Sequence, residues 1–250
     1  MYTLQLRTRS RKAADDSLAL EETLRWNPAK TAAILCDMWD KHWCVSATAR
    51  AAAMAPRMDA LVRELRSRGV LIIHAPSNTM DFYADHPGRK RAQQAQVVAD
   101  IPTGDWFPLN PAQESPLPID DSDGGCDCAV KCRQGSPWTR QIDSIEIMDT
   151  DAITDTVEAI YLMRARGIEN VLMMGVATNM CVLGRPFGIR QLVSQGFHTL
   201  LVRDMTDSMY NPAMPPYMDH DEGTELVVQH IEKYWCPTIT SDQLRMGSYE

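Results

Sequence analysis

Four apolar runs constrain this chain more than any other feature: "TAAILCD" ending at Asp37, "GVLIIHAP" ending at Pro76, "NVLMMGV" ending at Val176 and "HTLLVRD" ending at Asp204. Each is apolar at consecutive rather than alternate positions, which a strand sustains only where both faces of its sheet are covered. Helical patterns separate them. Ala47 to Ser67 carries Met54, Met58, Leu61, Val62 and Leu65 at three-to-four spacing, with a kink expected at Pro56; Thr154 to Arg166 and Pro186 to Ser194 follow. Two of these helices run into glycine, Gly69 and Gly167, just before a strand, where a left-handed residue closes a helix. The repeated β-α-β order predicts an α/β fold with a doubly wound, mainly parallel sheet between two helical layers, Rossmann-like, with right-handed crossovers. Ligands are then expected at the carboxyl ends of the strands.

The stretch from Ile101 to Asp143 breaks the rhythm, with six prolines and no sustained period. Its first part, 101–126, reads as a proline-rich loop region, and "DCAVKC", Asp127 to Cys132, as the third strand. A last helix over Gly223 to Trp235 and a short sixth strand at Thr238 to Thr240 complete a single domain over 1–250, which includes an N-terminal extension, 1–30. The 25 Lys and Arg residues against 33 Asp and Glu leave a net charge of −8, which repels polyphosphate and favours a small-molecule partner over a nucleic acid. The basic run Gly88 to Ala92 reads as a solvated helix face. The first residues are charged throughout, without the apolar core of a signal peptide, and no run reaches 18 apolar residues; a cytoplasmic protein without a membrane partner is expected. Seven cysteines, an odd number beside an ample core, fit reduced thiols.

A parallel sheet would bring together Asp37, the His74 to Ser77 corner, Lys131 and the Ala177 to Cys181 loop. Asp37 ends an apolar strand, so burial obliges it to be hydrogen-bonded, paired or used. It could serve as a helix cap or in a structural ion pair, and Asp40 is equally placed to cap. Cys181 could be core filling, since free cysteine packs as a small hydrophobe. At a helix entrance, however, unpaired amides favour a thiolate and can receive an oxyanion. Asp37 would then take the thiol proton, and the amides of Ala177 and Cys181 would form the oxyanion hole. On this reading Cys181 is expected to be the most reactive of the thiols near neutral pH.

"ILCDMWD" followed by "MMGVATNMCV" resembles the isochorismatase-like cysteine hydrolases, which include nicotinamidases, N-carbamoylsarcosine amidohydrolases and isochorismatases. The resemblance spans about Thr31 to Thr240 and rests on Gly175, Thr178 and Cys181 together with the upstream Asp37. It implies that Asp37 is the base, Cys181 the nucleophile and the Val176–Ala177 peptide cis. The family's catalytic lysine falls at Lys131 in "VKCRQGSPW", where Ser136-Pro137-Trp138 stands for a Ser-Ala-Phe element. Pro186 departs from the pattern and predicts a helix starting near Gly184, with Cys181 slightly before it. Trp39, Trp138 and Phe187 are candidate walls of a substrate pocket, and Arg185 is either a clamp for a substrate carboxylate or the partner of a surface acid.

Two clusters could hold a metal. His74, Asp81, Asp85 and His86 lie near the second strand but do not match the nicotinamidase metal set, and "DHPG" reads first as a turn. Cys126, Cys128 and Cys132 lack a standard zinc spacing and a fourth ligand, and as part of a strand would be mostly core. The sequence therefore requires no cofactor and predicts no metal. The expected activity is hydrolysis of an amide or carbamoyl-type bond of a small substrate through Cys181, in a homo-oligomer. The rival readings are an isochorismatase-type enol-ether hydrolase and a family member retained as a binding or assembly module.

Overall fold

The computed structural model describes residues 3–11 and 19–245; the parts of the N-terminal extension at 1–2 and 12–18 lie outside the described residues. The strands are β1 (Leu4–Ser10), β2 (Leu20–Trp26), β3 (Thr31–Cys36), β4 (Leu71–Ala75), β5 (Ala152–Ile153), β6 (Asn170–Val176), β7 (His198–Asp207) and β8 (Thr238–Ile239). They form one sheet in the order β2-β1-β8-β7-β6-β3-β4-β5. The strands from β8 to β5 in that order run parallel, while β1 pairs antiparallel with both β2 and β8. The sheet therefore has eight strands rather than the expected six, because the extension folds back as a hairpin on the β8 edge.

The helices are α1 (Val45–Ser67), α2 (Pro87–Gln93), α3 (Glu158–Ala165), α4 (Cys181–Gly184), α5 (Ile189–Ser194), α6 (His220–Tyr234) and α7 (Ser241–Arg245). Successive residues of a strand face opposite ways. Accordingly Ala33 and Leu35 of β3 join Met58, Leu61 and Leu65 of α1 in one core, whereas Ala32, Ile34 and Cys36 join Ile160, Leu192 and Ile231, from α3, α5 and α6, in the other. This burial on both faces explains the unbroken apolar runs. Each fully buried Leu or Ile contributes on the order of 2 kcal/mol.

The third strand is not "DCAVKC". Residues 127–132 are irregular, with a bend at 129–130, and the position beside β4 is taken by Ala152–Ile153, paired as Ile73↔Ala152 and His74↔Ile153. The segment owed its apolar appearance to its cysteines: Val130, its one β-branched residue, is 83% exposed. In the corrected order β3, β4 and β5 proceed to one side, and β6, next to β3, leads through β7 to β8 on the other. The winding reverses between β3 and β6, and a crevice opens there at the carboxyl ends of the strands.

Candidate active site

Both elements singled out by the sequence leave the sheet at this reversal. Asp37 follows β3 with φ of 49°, a left-handed conformation that Asp tolerates better than most residues. Its amide donates to the Ala75 carbonyl at 3.0 Å, and its carboxylate accepts from the Ser77 amide at 2.8 Å, so the side chain is fully buried at the carboxyl edge. Asp40, by contrast, accepts from the Thr139 amide and hydroxyl and pins the loop after Trp138.

On β6 the glycine of the motif is a steric requirement. Gly175 has φ of 113°, and a Cβ there would lie 2.0 Å from the Cys36 carbonyl oxygen. Thr178 ties the following loop to β7: its hydroxyl meets that of Thr206 at 2.7 Å, and its amide donates to the Asp207 carbonyl. The Val176–Ala177 peptide is cis.

Cys181 is the first residue of α4 rather than lying before a helix that begins at Gly184. Proline disfavours helical geometry in the residue that precedes it. Arg185 is accordingly extended, with φ −64° and ψ 160°, and α4 stops after one turn. This places Arg185 under the site. Its Nε lies 3.3 Å from Asp37 Oδ2, and its guanidinium also bonds the Cys181 thiol, which is itself hydrogen-bonded to Asp37. Arg185 is thus engaged with a buried acid instead of being a free carboxylate clamp.

Lys131 does not reach this cluster. Its side chain is 60% exposed and its ammonium lies 3.7 Å from Asp123, because the segment that carries it is a surface loop and not a strand. Arg185 is the cation beside Asp37. Phe187 is fully buried in the core with Leu183 and Ile189 and is not among the residues that line the cavity beside Cys181.

Asp37, Ala177, Cys181 and Arg185 open into a cavity of about 210 Å³. Trp39 and Trp138 stack at 4.2 Å with an 8° interplanar angle, and His42 continues the stack at 5.8 Å from Trp138. Met180, Met209, Trp43, Ala47 and Asp207 also line the cavity. Sequence reading missed His42 and Trp43, although they follow Asp37 closely in "DMWDKHWC". It missed Asp207 because β7 extends to that residue and not only to Asp204. Asp207 accepts from Arg50 Nε at 2.9 Å and pairs with His220 Nε2 at 2.8 Å. His74 is enclosed between Gln141 and Asp151, and His86 caps α2 through Nδ1; neither faces the cavity.

Burial raises the Asp37 carboxyl above its ordinary range, although Arg185 and Ser77 pull it back. Burial, followed by the Asp37 charge, pushes the Cys181 thiol far up. Cys181 is therefore a thiol at rest, contrary to the thiolate expected of a helix entrance. The low-pKa thiol is Cys128, which the Ser46 hydroxyl and amide bring down to about 6. Burial and then Arg50 lower His42 to about 4, so its ring is neutral near pH 7.

No protein-family model matches the chain. No curated protein matches it either. Among solved structures, a cysteine hydrolase from Pseudomonas syringae pv. phaseolicola is similar at 15% identity and a TM-score of 0.54, over 90% of this chain and 98% of that one. An isochorismatase-like hydrolase from Alkaliphilus metalliredigens matches at 14% identity and 0.50, covering 88% and 97%. An isochorismatase from Pseudomonas putida matches at 11% and 0.50, covering 87% and 91%. At such identities the likeness is one of architecture: the chain has the isochorismatase-like fold.

Proposed function

We propose that the protein is a cysteine hydrolase acting on the amide or carbamoyl-type carbonyl of a small, flat, largely apolar substrate. The observation that carries this reading is the Cys181 thiol hydrogen-bonded to a fully buried Asp37, itself paired with Arg185, facing the aromatic cavity. The substrate's flat part stacks against Trp39, Trp138 and His42, which leaves its carbonyl carbon at the sulfur. As the sulfur–carbon bond forms, the thiol proton passes to Asp37, which burial makes a stronger base than an exposed carboxylate. The carbonyl oxygen gains charge opposite the amides of Ala177 and Cys181. Collapse returns the proton to the leaving nitrogen and breaks the carbon–nitrogen bond. Asp37 then deprotonates a water, which attacks the thioester and releases the acid and the thiol.

Arg185 supplies a permanent positive charge where the related hydrolases place a lysine. It cannot donate or accept the proton in flight, so the proton shuttle falls to Asp37 alone. The test is hydrolysis of a panel of small aromatic and aliphatic amides and carbamoyl compounds by the wild-type chain and by Cys181→Ala, with intact-mass detection of an acyl adduct. Turnover and an adduct lost together in Cys181→Ala are expected. Turnover of these compounds that survives in Cys181→Ala overturns covalent catalysis by Cys181. A folded wild type that binds panel members without consuming any is a binding module.

A further inference from the structure

Beside the cavity the fold assembles four cysteines that the sequence scattered. Cys44 immediately precedes α1, while Cys126, Cys128 and Cys132 arrive on the loop that was expected to be a strand. Gly124 and Gly125, at φ of 87° and 70°, turn this loop inward, and a Cβ on Gly125 would lie 2.2 Å from the Met209 carbonyl oxygen. The ligating atoms of Cys44, Cys126 and Cys128 all lie within 4.8 Å of one another. Cys132 lies outside that group of three but packs against the same cluster, with its thiol next to those of Cys126 and Cys128. Cys44 is the fourth ligand that the sequence pattern lacked.

We propose that Cys44, Cys126, Cys128 and Cys132 form a tetrahedral thiolate site for a single zinc ion, which clamps the 126–132 loop to the start of α1. A zinc–sulfur bond of about 2.3 Å implies a tetrahedral edge of about 3.8 Å between sulfurs. The Cys44 and Cys128 sulfurs are 3.8 Å apart, far beyond a disulfide bond and at that edge. Sulfurs this close enclose one ion and leave no room for the irons and sulfides of a cluster.

The surroundings are those of thiolates. Successive amides of the first turn of α1 point at three of the sulfurs: Val45 at Cys132, Ser46 at Cys128 at 3.4 Å, and Ala47 at Cys44. The Ser46 hydroxyl adds a contact to Cys128 at 3.0 Å. Such donors orient ligands and spread the excess negative charge of a four-thiolate site. The long helix behind them contributes its positive end.

The ion would act on structure and not in the reaction, because four protein ligands leave no open coordination position. Its effect on the cavity runs through neighbours: Cys44 and Cys126 pack with Ala177 and Met209, and Trp43 and Ala47 complete the same cluster. All four of those neighbours also line the cavity. The site stands independently of the catalytic reading.

Metal analysis of the full chain purified without chelator should give one zinc per chain. The cobalt-substituted protein should show thiolate-to-cobalt charge transfer and the intense visible bands of tetrahedral coordination. Cys132→Ser, at a half-buried position, should keep the wild-type circular dichroism and lose zinc affinity by more than about 100-fold, since even partners outside the coordination sphere are worth 10–100-fold. Cys181→Ala should leave the cobalt spectrum intact, which separates this site from the catalytic one. Four freely titrating thiols with no zinc after reconstitution, a Cys44–Cys128 disulfide in anaerobically purified protein, or a cobalt spectrum unchanged in Cys132→Ser would each overturn the proposal.

Discussion

Cys181 and Cys128 are the same residue type on either side of one cavity wall, yet they stand in opposite electrostatic surroundings. Cys181 is enclosed against the Asp37 carboxylate, and both burial and that charge favour its proton. Cys128 is met by the Ser46 hydroxyl and amide at the head of a long helix, and these favour the anion. The comparison separates two routes to a useful sulfur. One keeps the proton until a neighbouring base removes it during attack; the other holds the charge permanently, as a metal ligand must. Position at the start of a helix does not by itself make a thiolate: α4 has one turn and a buried acid beside it, whereas α1 has neither handicap.

The comparison breaks first if Asp37 is not the base for Cys181. Asp37→Asn preserves shape and removes the acceptor, so turnover should fall by at least about 100-fold, the lower range for loss of a general base. In the wild type the acid limb of kcat/KM should lie above the ordinary carboxylate range, because burial raises Asp37 and the base is lost as pH falls through its pKa. A limb at ordinary carboxylate pH would point to a solvated base elsewhere.

Arg185→Met leaves Asp37 buried without its cation. A loss of about 3 kcal/mol in denaturant unfolding is expected, at the low end for a broken buried pair because Arg185 keeps some exposure. The acid limb should also move to higher pH, an effect that packing alone would not produce. Arg185→Lys should recover part of both.

The thiols themselves sharpen the contrast. In chelator-treated protein near pH 7, brief alkylation followed by mass mapping should label Cys128 at least about tenfold faster than Cys181, since each pKa unit is worth up to a factor of ten in thiolate. Labelling of Cys128 should climb through about pH 6 and then level off. Zinc should suppress it. Faster labelling of Cys181 would restore the resting thiolate expected from its helix-entrance position.

The smallest effect belongs to Lys131→Met. The residue sits on the same loop as the cysteines but reaches only Asp123 through an exposed pair, worth at most about 1 kcal/mol. Turnover should stay within about twofold of wild type. Loss of activity in a folded variant would mean that this lysine moves into the site when substrate binds.

The sequence by itself determined the parallel core and its active edge. Unbroken apolar runs can only be strands covered on both faces, and Asp37 and Cys181 stand at the ends of two of them, so the winding order brings them together whatever the loops do. Only the tertiary structure decided which cation stands beside Asp37 and what becomes of the other cysteines. Those outcomes depend on the path of residues 94–151, which follow no helical or strand period and are placed by distant contacts: Gly125 against Met209, Asp40 against Thr139, Asp151 against Arg66 and His74. Cys44 and Cys128, 84 residues apart in sequence, come within 3.8 Å through such contacts. Local pattern carries no record of partners that far away, because spacing along the chain reports only on neighbours within a turn or a pleat.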